Sequence, residues 1–159
     1  MNRERERAIE IFHILDREYP GVGPTINFSN PFELLIASMI GARATDESVN
    51  RTTKSLFRKY PDPQALARAD YETLVDELRN VGLAEPKARY VIEASRILLD
   101  RHDGKVPCSM SELLELPGVG RKIASMVLGN ACGQPAMIVD THVNRVSNRL
   151  GLTTSTNPA

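Results

Sequence analysis

Apolar residues recur at helical spacing along most of this 159-residue chain, and proline or glycine separates one such segment from the next. Ala8, Phe12, Leu15 and Tyr19, for example, fall on one face of a helix that would span about residues 3–19. No segment alternates convincingly between apolar and polar residues with a period of two, as a half-buried strand would. The sequence therefore predicts an all-α protein.

Capping and helix-breaking residues predict where the other helices lie. Asn30 followed by Pro31 is typical of an N-cap and a first helical residue, and the apolar run 32–40 that follows indicates a buried helix. Short helices are expected near 63–69 and 71–79, another over about 121–132, and an isolated extended stretch over 136–139. The residues expected to cap or begin the later helices are Asp46, Pro86, Ser111 and Asp140, and these helices would include a short one ending at Leu116 and a last one ending near Leu150.

Composition excludes some classes of protein. The 20 basic and 20 acidic residues cancel, so a nucleic-acid partner would need a local basic surface. No apolar run approaches the roughly 20 residues that cross a bilayer, and the N-terminus lacks the apolar core of a signal peptide. An intracellular, cytoplasmic location without a membrane partner is expected, associated with the nucleoid if the source is bacterial. Cys108 and Cys132 have no metal-ligand spacing, and a reduced compartment is the simpler interpretation.

The most informative segment is residues 114–131, in which the turn Pro117-Gly118-Val119-Gly120 lies between two predicted helices. Glycines let a backbone approach another molecule closely. The N–H groups that open the next helix carry partial positive charge, so turn and helix together suit a DNA phosphate. The alternative is a plain helix–turn–helix connection in which the glycines only satisfy turn geometry.

Lys122 would lie in the first turn of the helix that follows. The helix dipole disfavours a cation there, and partial desolvation would disfavour it further. A neutral amine is the species that attacks a sugar carbon to form a Schiff base. The alternatives are a lysine that contacts phosphate and a lysine that is merely solvated.

Asp140 would cap the last helix, where N–H donors keep a carboxylate ionised. The helix from 121 to 132 rises roughly 17 Å, and the extended return to Asp140 can cover roughly 23–25 Å. Asp140 could therefore lie beside Lys122, where it would stabilise positive charge on a sugar and assist proton transfer. The alternative is an ordinary N-cap.

A weak internal similarity links two parts of the chain. Val81-Gly82-Leu83, followed by Lys87-Ala88, is similar to the turn 117–120 followed by Lys122 and Ala124. Each is a glycine-bearing turn between two predicted helices. The match is too short to indicate a duplication.

Longer strings resemble a known family. Four strings resemble the endonuclease III family of helix-hairpin-helix DNA glycosylase/AP lyases. They are ELPGVGRKIASMVLGNA followed by IVDTHVNRVSNRLGL, and upstream NFSNPFELLIASMIGARATDESVN and VGLAEPKARYVIEASRILL. The resemblance runs from about residue 5 to 152. It implies a helical DNA glycosylase-like domain with the helix-hairpin-helix at about 111–132.

The resemblance implies a function in base-excision repair. Lys122 would be the nucleophile and Asp140 its carboxylate partner. The reaction would remove a damaged pyrimidine and then cleave the strand by β-elimination through a lysine–DNA imine. Relatives that excise mispaired adenine or thymine typically carry Ser or Tyr where this chain has Lys122. The partner would be double-stranded DNA with damaged bases or abasic sites, whereas no protein partner is indicated.

The resemblance also implies DNA contacts. Leu83 matches the position of an apolar wedge that holds the base stack open, with a Leu packed in the core as the alternative. Arg43 stands where the family usually has glutamine, and it could fill the gap left by a flipped base or be solvated. Gly41 stands where serine is common. The remaining implied contacts are Pro117, Gly118, Val119, Gly120, Arg121, His142 and Arg145.

The chain departs from the family at its end. The family continues with further helices and a four-cysteine iron–sulfur loop, whereas this sequence has only Cys108 and Cys132, which are expected to be small apolar residues. No cluster or other metal ligand is expected, although the resemblance allows a monovalent cation at the hairpin.

The division expected on this basis is an N-terminal helix over 1–20 left from a second, cluster-side domain, a helical domain over 21–150, and a frayed tail over 151–159. Ala8, Phe12 and Leu15 would then face water. A truncated protein is expected, with a catalytically weak or inactive DNA-binding fragment as the alternative to the enzyme. A helical domain without a DNA role is the third possibility.

Overall fold

The computed structural model describes residues 3–157, and its regular structure in that range is helical without any strand. The predicted all-α fold is confirmed. The helices are α1 (Arg3–Glu18), α2 (Pro31–Ile40), α3 (Asp46–Lys59), α4 (Pro63–Ala67), α5 (Tyr71–Leu78), α6 (Ala84–His102), α7 (Met110–Leu114), α8 (Arg121–Ala131) and α9 (Thr141–Arg149), with a 3₁₀ turn at Arg79–Val81. The outermost residues of the predicted segments 1–20 and 151–159, namely 1–2 and 158–159, lie outside the described residues.

The chain folds as two compact units. The larger unit is Thr25–Ile138 and contains α2 to α8. The smaller unit takes in the described residues 3–24 and 139–157, and it contains α1 and α9.

The core of the larger unit is built around α2. Eight of its ten residues are buried, because the segment 32–40 is apolar apart from Glu33 and Ser38. Helices α3, α6 and α8 pack against it. The largest fully buried side chains of this core are Leu34, Leu35, Ile36, Ile40, Val49, Leu56, Leu66, Leu74, Leu78, Leu98, Leu113 and Leu116.

Helix α6 is the other central element of the larger unit. Helices α4 and α5 pack along it, and α7 packs on α8. A glycine-bearing turn, residues 81–83, leads directly into the N-terminus of α6, and a second such turn, residues 117–120, joins α7 to α8. The same packed helices therefore position both turns.

Local capping explains where several helices begin. The Asn30 side chain accepts a hydrogen bond of 2.9 Å from the backbone N–H of Glu33, and Pro31 is the first residue of α2, as predicted. The prediction that Asp140 caps the last helix is also confirmed, since α9 begins at Thr141.

Three predicted helix starts are wrong by one or two residues. Thr45, not Asp46, caps α3, because its hydroxyl accepts from Ser48 N at 3.3 Å, whereas the Asp46 carboxylate accepts from the Thr25 hydroxyl. Helix α6 begins at Ala84 rather than Pro86, since a proline is tolerated where the helix does not use the N–H group.

The third error concerns the helix before the hairpin. Ser109, not Ser111, is the N-cap of α7, and the helix ends at Leu114 rather than Leu116. The last turn instead continues into the hairpin through a hydrogen bond from Leu116 N to Leu113 O.

The expectation of two reduced cysteines acting as apolar residues is wrong. Cys108 and Cys132 form a disulfide with a Cα–Cα distance of 5.7 Å. Cys108 precedes α7 and Cys132 caps the C-terminus of α8, so the hairpin brings residues 24 apart in the sequence together. A hydrogen bond also links the segment after α8 to the segment before α7, since the Gln134 side-chain N–H donates to Cys108 O at 2.7 Å. The spacing of the two cysteines along the sequence does not reveal that Cys108 and Cys132 meet in the fold.

Helices α1 and α9 of the smaller unit contain no buried residue. Phe12 and Leu15 are exposed, as predicted, whereas Ala8 is half-buried. The Arg7 guanidinium donates to the carbonyl oxygens of Leu150 and Gly151. Among the described residues, no helix has the length and apolar character that crossing a bilayer demands.

Candidate nucleic-acid interface

The turn between α7 and α8 is anchored by apolar side chains and exposes its glycines. Leu116 and Val119 are buried, and Val119 N donates to Leu116 O at 3.1 Å. Pro117 is half-buried, whereas Gly118 and Gly120 are exposed. The predicted contact at Val119 would therefore have to use its backbone, because its side chain belongs to the core.

Two features of the fold require glycine at position 118. Its φ is +78°, which L side chains rarely adopt. A Cβ at Gly118 would also lie 2.9 Å from Cδ2 of Tyr90, so the turn is seated directly on α6. A Cβ at Gly120, in contrast, would meet nothing within 4 Å. The side of the turn near Gly120 is therefore open to another molecule.

Helix α8 starts at this open side of the turn, directly after Gly120. Gly120 is the N-cap and has no side chain to accept from the first N–H groups of the helix. Arg121 and Lys122 lie in the first turn and are exposed, as predicted. Backbone N–H groups, the positive end of the helix dipole and two exposed cationic residues thus lie together at the start of α8. This combination attracts a phosphate group.

Two further predicted contacts share an uncommon backbone conformation. Between residues 3 and 157, the non-glycine residues with positive φ are Arg43 (59°), Leu83 (51°) and Asp103 (51°). Such residues concentrate at functional sites, although Asp103 is explained by its place as the C-cap of α6. Arg43 lies in the loop between α2 and α3, two residues after Gly41, the C-cap of α2.

Leu83 is 54% exposed, which excludes the alternative of a core leucine. It immediately precedes α6, and Tyr90 lies seven residues further, about 10 Å along the helix. Since Tyr90 contacts Gly118, the two turns lie on one helix. Helix α2, which leads to Arg43, packs against both α6 and α8. The larger unit therefore holds these segments on a single set of packed helices.

The remaining predicted residues lie in the smaller unit. Oδ1 of Asp140 accepts from the backbone N–H groups of His142 at 3.0 Å and Val143 at 2.9 Å. His142 and Arg145 are exposed, and Nη2 of Arg145 lies 3.2 Å from Nδ1 of His142. Lys122 belongs to the larger unit and Asp140 to the smaller one, and their pairing stays a prediction.

Two residues near the turns were missed as functional candidates. Lys87 is only 5% exposed, and its ammonium donates to Val81 O at 2.7 Å. Burial lowers the pKa of Lys87. Its place after a glycine turn was visible in the sequence, but its burial was not. Nothing in the sequence signals the contact of Tyr90 with the hairpin.

The described residues do not fit an iron–sulfur cluster. Such a cluster is held by cysteine thiolates, and the two cysteines of the chain are bonded to each other. Among the described residues, no group of His, Cys, Asp and Glu side chains is arranged to hold a metal ion.

The sequence as a whole matches known proteins. Residues 36–159 match the model of the HhH-GPD superfamily of base excision DNA repair proteins. Endonuclease III of Synechocystis is 43% identical over 159 residues, which cover 99% of this chain and 73% of that protein. Endonuclease III of Escherichia coli K12 is 42% identical over 145 residues, which cover 91% of this chain and 69% of that protein.

The chain belongs to the endonuclease III family. A solved non-covalent endonuclease III–DNA complex matches it with a TM-score of 0.91 and 39% identity, covering 99% of this chain and 73% of that one. A trapped covalent endonuclease III–DNA intermediate, with an estranged adenine, matches with the same values. This family member is therefore a base-excision DNA repair protein with the fold that the resemblance implied.

Proposed function

We propose that this endonuclease III family member is a bifunctional DNA glycosylase and abasic-site lyase for damaged pyrimidines in double-stranded DNA. The observation that carries the proposal is that Lys122 is an exposed residue in the first turn of α8, directly after the open glycine turn. A phosphate bound at that turn brings the neighbouring sugar within reach of the amine. An intracellular location, where DNA is found, follows from this substrate.

The chemistry needs an amine that can attack C1′ of a flipped nucleotide. A bond forms between Nζ of Lys122 and C1′ as the bond to the base breaks, and the departing base takes up a proton. The C1′–O4′ bond then breaks as the remaining amine proton is transferred to O4′, which opens the sugar ring and leaves an imine. Removal of a C2′ proton then breaks the C3′–O bond, and the phosphate leaves as the 5′-phosphate end of the downstream strand. Water hydrolyses the imine and regenerates the lysine.

Lys87 is the other lysine that follows a glycine-bearing turn, and burial excludes it as the nucleophile. Its ammonium is bound to Val81 O, and only 5% of the residue is exposed. A sugar carbon cannot approach that nitrogen without unfolding the start of α6. Of the two similar turns, only the one at 117–120 is followed by an exposed lysine.

The other exposed residues would open the duplex and orient it. Leu83 would insert between base pairs as an apolar wedge, and Arg43 would occupy space left by the flipped nucleotide. Arg121, with His142 and Arg145, would contact phosphates and fix the orientation of the duplex. The exposure of all five residues supports these roles, as do the positions of Leu83, Arg121 and His142 at helix starts.

Asp140 is proposed as the catalytic carboxylate. Two backbone N–H groups donate to its Oδ1, which fixes the carboxyl group at the start of α9. An ionised acid there would stabilise positive charge that develops on the sugar and assist proton transfer. A monovalent cation at the hairpin would have to use backbone carbonyl oxygens, because the side chains of residues 117–120 carry no oxygen.

Borohydride trapping tests the proposal directly. Wild-type protein is mixed with duplex DNA that contains one abasic site, and borohydride reduces any imine to a stable covalent adduct. The adduct should form with the wild type and vanish in Lys122→Ala. Lys54→Ala, which removes another exposed lysine, is the matched control and should retain the adduct.

Salt-dependent duplex binding and Asp140→Asn complete the test. A wild type that binds DNA but forms no adduct at high concentration would be a DNA-binding fragment, and one that does not bind would have no DNA role. Asp140→Asn should slow base removal about 100-fold while changing affinity for DNA by less than about 3-fold. Equal losses in both measurements would contradict a chemical role for Asp140.

A further inference from the structure

The turn before α6 holds an apolar side chain outward on an unfavourable backbone. Gly82 has φ +66° and ψ 159°, and Leu83 has φ +51° and ψ +42°. The left-handed conformation is disfavoured for a leucine, because its Cβ crowds the backbone. The turn therefore keeps this geometry only where the surrounding structure enforces it.

Lys87 supplies that constraint from both sides of the turn. Its backbone N–H donates to Leu83 O at 3.2 Å as the first bond of α6. Its side chain folds back, and Nζ donates to Val81 O at 2.7 Å. One residue thus holds the carbonyl group before Gly82 and the carbonyl group of Leu83, and the strained peptides lie between them.

A lysine is an unfavourable choice for this buried position unless its ammonium is needed. Burying a cation costs free energy, and within the described part of the chain Lys87 forms no ion pair that would offset the cost. Burial lowers its pKa accordingly. A leucine or methionine would fill the same space at a lower free-energy cost of burial, but neither could donate a hydrogen bond to Val81 O. A hydrogen bond from a charged donor is also stronger than one from a neutral donor.

We propose that Lys87 is a positioning residue that fixes the Val81 carbonyl and thereby presents Leu83 to the DNA base stack. The inference rests on the wedge role proposed for Leu83. A side chain that is already held in its inserting orientation loses less conformational freedom when DNA binds. Lys87 therefore affects opening of the duplex, and it affects the chemistry at Lys122 only through that opening.

Opening of the stack can be measured without catalysis. The probe is a duplex in which the fluorescent base 2-aminopurine lies next to a non-cleavable abasic-site analogue. Fluorescence should rise when the wild type binds at saturating concentration, because the probe base becomes unstacked. Lys87→Met and Leu83→Ala should each lower the rise by at least half. The double variant should be no lower than Leu83→Ala, since Lys87 acts through Leu83.

A second readout separates opening from chemistry. In single-turnover assays, Lys87→Met should slow excision of a paired damaged pyrimidine about tenfold. It should slow strand cleavage at a preformed abasic site less than about threefold, because no base pair has to be broken there. Lys87→Arg keeps a charged donor and should retain most of both responses.

Several results would overturn the inference. The effects of Lys87→Met and Leu83→Ala could multiply in the double variant, or excision and strand cleavage could fall equally with a matching loss of folded protein. Either result would mean that Lys87 only stabilises the fold. If Lys87→Met does not fold by circular dichroism, Lys87→Gln replaces it as a polar residue too short to reach Val81 O. Absence of a borohydride adduct with the wild type would refute the proposed lyase instead, and the fluorescence test would still decide the role of Lys87.

Discussion

The two glycine-bearing turns use the same ingredients in opposite ways. Each leads into a helix that carries a lysine near its start, yet Lys87 is buried after residues 81–83 and Lys122 is exposed after residues 117–120. The first lysine holds the backbone of its own turn. The second is presented to solvent beside an open glycine.

Helix phase explains the difference. Side chains advance about 100° per residue around an α-helix. On α6 the buried positions include 87, 91, 94 and 98, so Lys87 lies on the face that packs inward. On α8 the buried positions are 124, 127 and 128, and Lys122 lies about 200° from Ala124 on the opposite face. A similar local sequence thus gave a structural lysine in one helix and a reactive candidate in the other.

The turns also differ in what holds them. The turn at 117–120 is seated on Tyr90 and lies inside the loop closed by the Cys108–Cys132 disulfide. The turn at 81–83 is outside that loop and depends on Lys87. The disulfide, the Tyr90 ring and the buried Lys87 ammonium can therefore be tested separately. Loss of any one of them should affect one turn more than the other.

Reduction of the disulfide should have the largest effect. Opening a loop of this length lowers the free energy of unfolding by about 3 kcal/mol in the chain-entropy treatment. Cys108 is exposed, so dithiothreitol can reach it. The urea midpoint should fall on reduction, and hydrogen exchange should increase more at residues 117–120 than at 81–83. The double variant Cys108→Ser/Cys132→Ser should not respond to the reductant, and an unchanged wild-type midpoint would contradict the prediction.

Alanine at the two glycines should have the next largest effect. Gly118→Ala and Gly82→Ala should each destabilise the fold by about 1–3 kcal/mol, because both place a Cβ on a backbone with positive φ. Only Gly118→Ala also meets the Tyr90 ring. Adding Tyr90→Ala should therefore recover at least about 0.5 kcal/mol for Gly118→Ala and none for Gly82→Ala. Urea unfolding of the single and double variants measures this, and equal recovery at both glycines would refute the seating of the hairpin on α6.

The smallest effect is the pH dependence due to Lys87. Burial lowers the pKa of folded Lys87 below its value in the unfolded chain, so between the two pKa values the unfolded chain binds more protons than the folded one. The contribution of Lys87 to stability should therefore rise as the pH increases towards the unfolded value. Urea unfolding of wild type and Lys87→Met at neutral pH and near pH 10 tests the sign. A stability difference that moves against the wild type at alkaline pH would contradict it.

Much of the fold could be predicted because local chemistry decides it. The apolar run of α2 and the Asn30-Pro31 start of that helix needed no long-range information, and Asp140 capped α9 as its sequence context indicated. The exposed turn before Lys122 followed from the glycines and the helix start. The one- to two-residue errors at Asp46 and Pro86 arose because neighbouring residues compete for a cap and because a helix can begin before a proline.

The sequence by itself determined that this chain is helical, where its turns lie and which family its motifs resemble, since caps, glycines and apolar periodicity act over a few residues. Only the tertiary structure decided that Cys108 meets Cys132, that Tyr90 supports Gly118 and that Lys87 is buried while Leu83 is exposed. These outcomes depend on which helix faces meet in the core. Contacts between distant segments carry no periodic signal along the chain.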